Sequence, residues 1–180
     1  SELAARDASF THNRTGIYGT MFIAAIISCA QVMNDKEEII RTALKYVPQK
    51  SRFFVRSKIC LEEILKASDW EDGYKKINNI LNEYGHCRIY QEIGMMINSF
   101  LFANNIYEGI CIQVSQGADT DSFGASVGSL MGCYYGPEGL DKKWLEIFND
   151  DIHTGMAWFF ERSVSNLAKR MGRLPVNLSQ

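Results

Sequence analysis

A chain of 180 residues that is 46% hydrophobic and has only 3 prolines can bury a sizeable core and is too apolar for intrinsic disorder. Its formal net charge of -2, with Lys and Arg scattered, provides no basic stripe, so no nucleic-acid partner is expected. The five cysteines (Cys29, Cys60, Cys87, Cys111 and Cys133) are odd in number, widely spaced and free of any CxxC, which excludes a disulfide framework or zinc site and points to reduced thiols in a cytoplasmic setting.

Helical periodicity runs along the chain from its first residues. "SELAARDASF" reads as a helix in progress, with Leu3, Ala4, Ala5 and Ala8 as small apolar positions and nothing upstream to pack on, so residue 1 is expected to be a cut within a larger domain. Helices are then predicted at 15–33, 35–46, 50–68, 70–84, 88–104, 106–116, 121–135, 140–149 and 152–172. The first of these holds 20 residues without a charge, Thr15 to Asn34, about the length of a membrane span. Its Gly16, Gly19, Ser28 and Gln31, with no second span following, favour a buried central helix, and no membrane association is expected. Charged and polar residues in the first 14 positions argue against a signal peptide. Asn34-Asp35 and Asp69 are placed to cap helix starts, and Gly85 to stop a helix. Trp70, Trp144, Trp158, Met95 and Met96 read as packing residues. With no repeat, low-complexity run or linker, residues 1–180 are expected to form a single all-α domain, a compact orthogonal helical bundle.

Chemistry is concentrated in "SQGADTDSFGASVGSLMGCYYG", Ser115 to Gly136. Gly124, Gly128, Gly132 and Gly136 recur every fourth residue, although each glycine inside a helix costs about 0.5–1 kcal/mol against alanine. Close approach of a neighbouring helix or of a ligand would explain them, and helix packing suffices. It does not explain Asp119 and Asp121 at the helix mouth. One carboxylate, Asp121, is placed to cap the helix, but the second has no such role, and two nearby carboxylates repel unless a cation lies between them. Magnesium, a hard cation that takes oxygen ligands, would relieve this, with Ser122 adding a hydroxyl; a solvated turn is the alternative. An EF-hand is excluded, because a loop starting at Asp119 puts Phe123 at its fifth position and Leu130 at its twelfth.

These residues resemble the ADP-ribosylglycohydrolase family, which includes dinitrogenase reductase-activating glycohydrolase, ADP-ribosyl-arginine and ADP-ribosyl-serine hydrolases and the J1 crystallins. The motif is Gly117-Ala118-Asp119-Thr120-Asp121-Ser122 leading into the small-residue helix to Gly136, then "GLDKKW". A second block, "RDASFTHNRTGIYGTMFIAAII", resembles the family segment in which a Thr-His or Ser-His pair precedes a long helix, and "VPQKSR" extends the likeness. The resemblance implies an all-α fold around two magnesium ions that hold the ribose hydroxyls of an ADP-ribosyl group while water displaces it at the anomeric carbon. It implies Asp119, Asp121 and Ser122 as metal ligands, and His12, Gly117 and Thr120 as substrate-binding residues. The family also carries a second acidic cluster, a catalytic acid and a Gly-rich phosphate loop upstream, which have no counterpart here. The chain therefore reads as the C-terminal portion of such a domain, supplying half a metal site, inactive by itself, with its catalytic residue elsewhere. Ser122 stands where relatives often have Thr or Cys, and Phe123 where some have a polar residue, which bears on local substrate contacts. Asp150-Asp151 reads as a cap, His153 as a first-turn residue and His86 as lacking metal spacing. The expected partners are an ADP-ribosylated protein or small ADP-ribose conjugate, and a missing N-terminal segment or neighbouring chain over an exposed apolar face. A non-catalytic ADP-ribose-binding or crystallin-like module is the alternative.

Overall fold

The computed structural model describes residues 1–156 and 158–173, and among them every regular element is helical. The chain divides into two units, one spanning Ser1–Leu140 and one beginning at Asp141. The first contains α1 (Glu2–Ala8), α2 (Thr15–Ala30), α3 (Lys36–Leu44), α4 (Arg52–Ile64), α5 (Trp70–Leu81), α6 (Ile89–Phe102), α7 (Ile106–Ser115), α8 (Thr120–Tyr135) and a 3-10 turn at Pro137–Gly139. The second contains α9 (Lys142–Phe148) and α10 (Val164–Met171).

Local chemistry sets the helix starts of the first unit. The side chains of Asp35, Ser51, Asp69 and Asn105 each accept from a backbone amide three residues on, at 2.7, 3.1, 2.8 and 2.8 Å. Each cap is worth ~1 kcal/mol. α1 packs on α2. Gly85 does not stop α5: the helix ends at Leu81 and its C-cap Asn82 stays right-handed.

The central helix is α6. Nine of its residues from Gln91 to Phe100 are buried, and α2, α3, α4, α5, α7 and α8 all pack on it. The charge-free stretch that reads as the central helix forms α2 instead, which buries Gly19, Phe22, Ala25, Ile26, Cys29 and Ala30 and leaves Ser28 exposed. No helix among the described residues is long and apolar enough to cross a membrane. The five cysteines are free, and burial pushes the Cys60 thiol up to about 12.

The C-terminal end of α6 is closed by residues distant in sequence. The Lys36 ammonium donates to the Ala103 carbonyl and lies 5.5, 5.7 and 5.5 Å from the ring centroids of Phe100, Tyr134 and Tyr135. The Tyr135 hydroxyl donates to the same carbonyl at 2.9 Å, and Tyr134 Oη donates to the Asn34 carbonyl at 2.6 Å. Desolvation lowers the Lys36 pKa, and the negative Glu108 opposes the shift.

The second unit departs from the predicted 152–172 helix. Asn149 and Asp150 adopt positive φ (46° and 56°), ending α9, and helix resumes only at Val164. The Asp150 carboxylate accepts from Ser163 Oγ at 2.5 Å and from the Ser165 amide and hydroxyl at 2.8 Å each, while Ser163 caps α10 by accepting from the Asn166 amide. Arg162 donates to Asp151 and lies 2.6 Å from His153 Nε2, so His153 belongs to an ion-pair cluster and not to a helical first turn. These polar bonds compete with the helical ladder over 151–163. Trp158, expected to pack, is 88% exposed.

Candidate functional site

The acidic motif forms the turn between α7 and α8. Gly117 takes φ 77°, a conformation open to glycine, and Ala118 follows at φ 64°, where a side chain costs of order 1 kcal/mol. Asp119 is the N-cap residue of α8, but its carboxylate makes no cap bond; Oδ2 accepts from Ser122 Oγ at 3.2 Å instead. Asp121, expected to be the capping residue, lies inside the first turn. Its carboxyl is held below the usual carboxylate range, first by a hydrogen bond shared with the Asp119 carboxyl, then by the amides of Ser122 and of Asp121 itself. Two carboxyl groups and a hydroxyl thus meet at the exposed mouth of α8, with Thr120 exposed beside them and Gly117 half-buried.

The glycine stripe does not serve close packing within the described chain. A Cβ on Gly124 or Gly128 would make ordinary 3.7 Å contact with Val114 or Ile110 of α7, and one on Gly132 would meet nothing within 4 Å. Gly136 alone is required by conformation, at φ 71°. Phe123, which the resemblance sets at a substrate-contact position, is 2% exposed and belongs to the core.

His12 lines a cleft of about 810 Å³ together with Thr15, Tyr84, Arg88, Tyr90 and Glu92, among others. Its ring rests on Gly16, where a Cβ would come within 2.7 Å of His12 Cδ2, so the missing side chain lets the ring lie against α2. Nδ1 is 2.7 Å from Thr11 Oγ1, which leaves Nε2 for other partners. Gly19 makes room for Ile89 in the same way, with a Cβ placed 2.3 Å from Ile89 Cγ1. On the α6 side, Tyr84 and Tyr90 stack with centroids 4.1 Å apart, and Tyr90 Oη approaches Thr15 Oγ1 at 3.4 Å. Arg14, N-cap residue of α2, sits at φ 41° on the rim of the His12 loop.

Asp119, Asp121 and Ser122 do not line this cleft. The connection runs through Glu92, a cleft residue on α6 whose Oε1 accepts from Ser126 Oγ of α8 at 2.7 Å. Burial pushes the Glu92 carboxyl up, the negative Asp119 pushes it further, and the Ser126 hydrogen bond opposes them. Glu92, Tyr84, Tyr90 and Arg88 are not among the residues that the sequence singles out. For Glu92 there is a signal: it is the one charged residue in "IYQEIGMMINSFLF", and a lone acid in an apolar helix is either partnered or functional.

Carboxylate and hydroxyl oxygens are the donors that magnesium prefers, so the chemistry of Asp119, Asp121 and Ser122 fits that ion. Among the described residues no three or more His, Cys, Asp or Glu side chains gather closely enough to hold a metal.

Comparison with known proteins agrees with the motif. No curated protein and no solved structure matches the chain significantly. The family model described as ADP-ribosylglycohydrolase matches residues 1–173, nearly the whole chain and both the His12 segment and the acidic turn. The chain belongs to the ADP-ribosylglycohydrolase family.

Proposed function

We propose that this chain takes part in magnesium-dependent hydrolysis of the glycosidic bond joining ADP-ribose to a protein side chain or small acceptor. Asp119, Asp121 and Ser122 would hold part of a two-magnesium centre, and the remaining oxygen ligands would come from a further segment or a neighbouring chain. The observation that carries this reading is the meeting of Asp119, Asp121 and Ser122 at the mouth of α8, on the family's motif. Magnesium there would neutralise the carboxylate pair and bind a ribose diol.

The chain's own residues define the rest. Ser122 donates to Asp119, which leaves the carboxylates their other lone pairs for outside ligands. His12, steadied by Thr11 and seated on Gly16, lines the cleft and would offer Nε2 as a hydrogen-bonding group for substrate. Glu92 lines the same cleft from α6 and keeps its proton more readily than an exposed acid, so it can donate to or accept from a ligand hydroxyl.

ADP-ribose release from modified protein, assayed with and without magnesium, tests the reading. Asp121→Asn keeps an oxygen but removes a charge, and is expected to lower turnover of the complete protein about 100-fold with helical circular dichroism unchanged. The 180-residue chain by itself is expected to be inactive; turnover by it would overturn the requirement for outside ligands. Undiminished turnover by Asp121→Asn would remove Asp121 from the mechanism. Magnesium-dependent binding of ADP-ribose without release would favour the non-catalytic module.

A further inference from the structure

A buried polar cluster stands directly behind the acidic turn. Gln116, the residue before Gly117, is only 2% exposed. Its Oε1 accepts from Asn98 Nδ2 at 2.9 Å, and its Nε2 donates to Ser99 Oγ at 2.8 Å and the Met95 carbonyl at 3.3 Å. All three partners lie on α6. Asn98 Nδ2 also donates to the Trp70 carbonyl at the start of α5, at 2.8 Å, and its Oδ1 occupies the space where a Gly73 Cβ would sit. Ser99 lies 2.9 Å from the Met95 carbonyl and 3.0 Å from Gln113 Oε1, but has one proton for the two acceptors. Turning the Gln113 amide resolves this: Nε2, otherwise unpartnered and buried, then donates to Ser99 Oγ.

Such a cluster is a poor device for stability alone. Apolar residues of the same volume usually serve as well, and Asn98 Oδ1 is buried without a hydrogen-bond partner, so the value of the cluster lies in the bonds made by Gln116 and Asn98 Nδ2, which fix one register. The turn from Gly117 to Ser122 needs a fixed register. Ala118 holds a left-handed conformation, which persists only where its surroundings over-determine it. Downstream the turn is anchored by buried Phe123, whose amide donates to the Asp119 carbonyl at 3.0 Å. Upstream the anchor is Gln116.

We infer that Gln116 is a positioning residue that, through Asn98, Ser99 and Met95 on α6, holds the Gly117–Ser122 turn in the geometry that brings Asp119, Asp121 and Ser122 together. The role in metal binding rests on the function proposed above; the positioning of the turn does not.

Two variants of the complete protein test this. Gln116→Met keeps the length of the side chain and removes its three side-chain hydrogen bonds, so that lost polar contacts are tested without opening a cavity. Ser99→Ala removes one of the three partners and serves if the first variant fails to fold. Native-state hydrogen exchange, read residue by residue, reports on the Gly117 amide, bonded to the Val114 carbonyl at 3.1 Å, and on the Phe123 amide. In Gln116→Met both should exchange ~10-fold or more faster than in wild type, beyond any change in the amides of α2 and α4. Ser99→Ala should give the same pattern at ~3-fold. A uniform change across all helices, or none at the turn, would show that Gln116 is only a core residue and overturn the inference. Calorimetric titration with magnesium is the second arm: wild type should bind, and Gln116→Met should bind ~10-fold more weakly. If wild type binds no magnesium, the metal reading fails, and the exchange pattern still decides the role of Gln116.

Discussion

Burial raises the Glu92 carboxyl above its ordinary 4.5, Asp119 adds to the shift, and Ser126 opposes it. A carboxyl that binds its proton more tightly in the folded chain contributes stability that is complete below pH 4.5 and is lost as pH rises through the raised value. Glu92→Gln removes the buried charge and keeps an oxygen for the Ser126 hydroxyl. It is therefore expected to melt higher than wild type at pH 7, by roughly 2–4 °C, with the difference closing towards pH 4, as thermal unfolding across pH would show. An equal difference at both pH values would mean that the charge is not what matters. The acid pair at Asp119 and Asp121 is legible in sequence because its two members stand one residue apart. Glu92 is not, because the Ser126 hydroxyl that fixes it comes from another helix 34 residues on. His12 is legible only through the family, since the Gly16 beneath it looks like any helical glycine.

Helices can be read where local chemistry and burial agree, and the two glycine-bearing helices separate these causes. In α2, Gly19 is required by Ile89, so Gly19→Ala should cost about 1–3 kcal/mol through overpacking. In α8, Gly132 meets nothing within 4 Å, so Gly132→Ala should be neutral or stabilise by up to about 1 kcal/mol through helix propensity. Denaturant unfolding of both variants measures this; a destabilising Gly132→Ala would reveal a close partner of α8 outside the described residues. The sequence pattern predicts both sets of glycines alike, because spacing alone does not say whether another helix lies opposite. Helix boundaries are most legible where Asp or Ser caps a start, as at Asp35 and Asp69. They are least legible over 151–163, where Asp150, Asp151, Arg162 and Ser163 bond among themselves and the described apolar residues between them have no buried face to impose a helical period.

At the scale of the whole molecule, the buried apolar side chains among the described residues run from Ala8 to Met131, and neither α9 nor α10 buries a residue. A chain ending at Leu140 is accordingly expected to fold with helical circular dichroism and one cooperative melt, within about 5 °C of the longer chain's; loss of cooperativity would show that the second unit completes the core. Lys36 carries a consequence of another kind, because the partners that enclose it lie far along the chain. Tyr134 bonds a carbonyl 100 residues before it, and Tyr135 shares the Ala103 carbonyl with Lys36. During synthesis, α3 emerges long before the rings that cover its first turn. A nascent chain that has reached only α7 can form caps and local turns, but the cover over Lys36 waits for residue 135 to clear the ribosome. The closing loop makes this a slow, late assembly step, and until then Phe100 lacks the Tyr134 ring that packs edge-on against it at 5.2 Å.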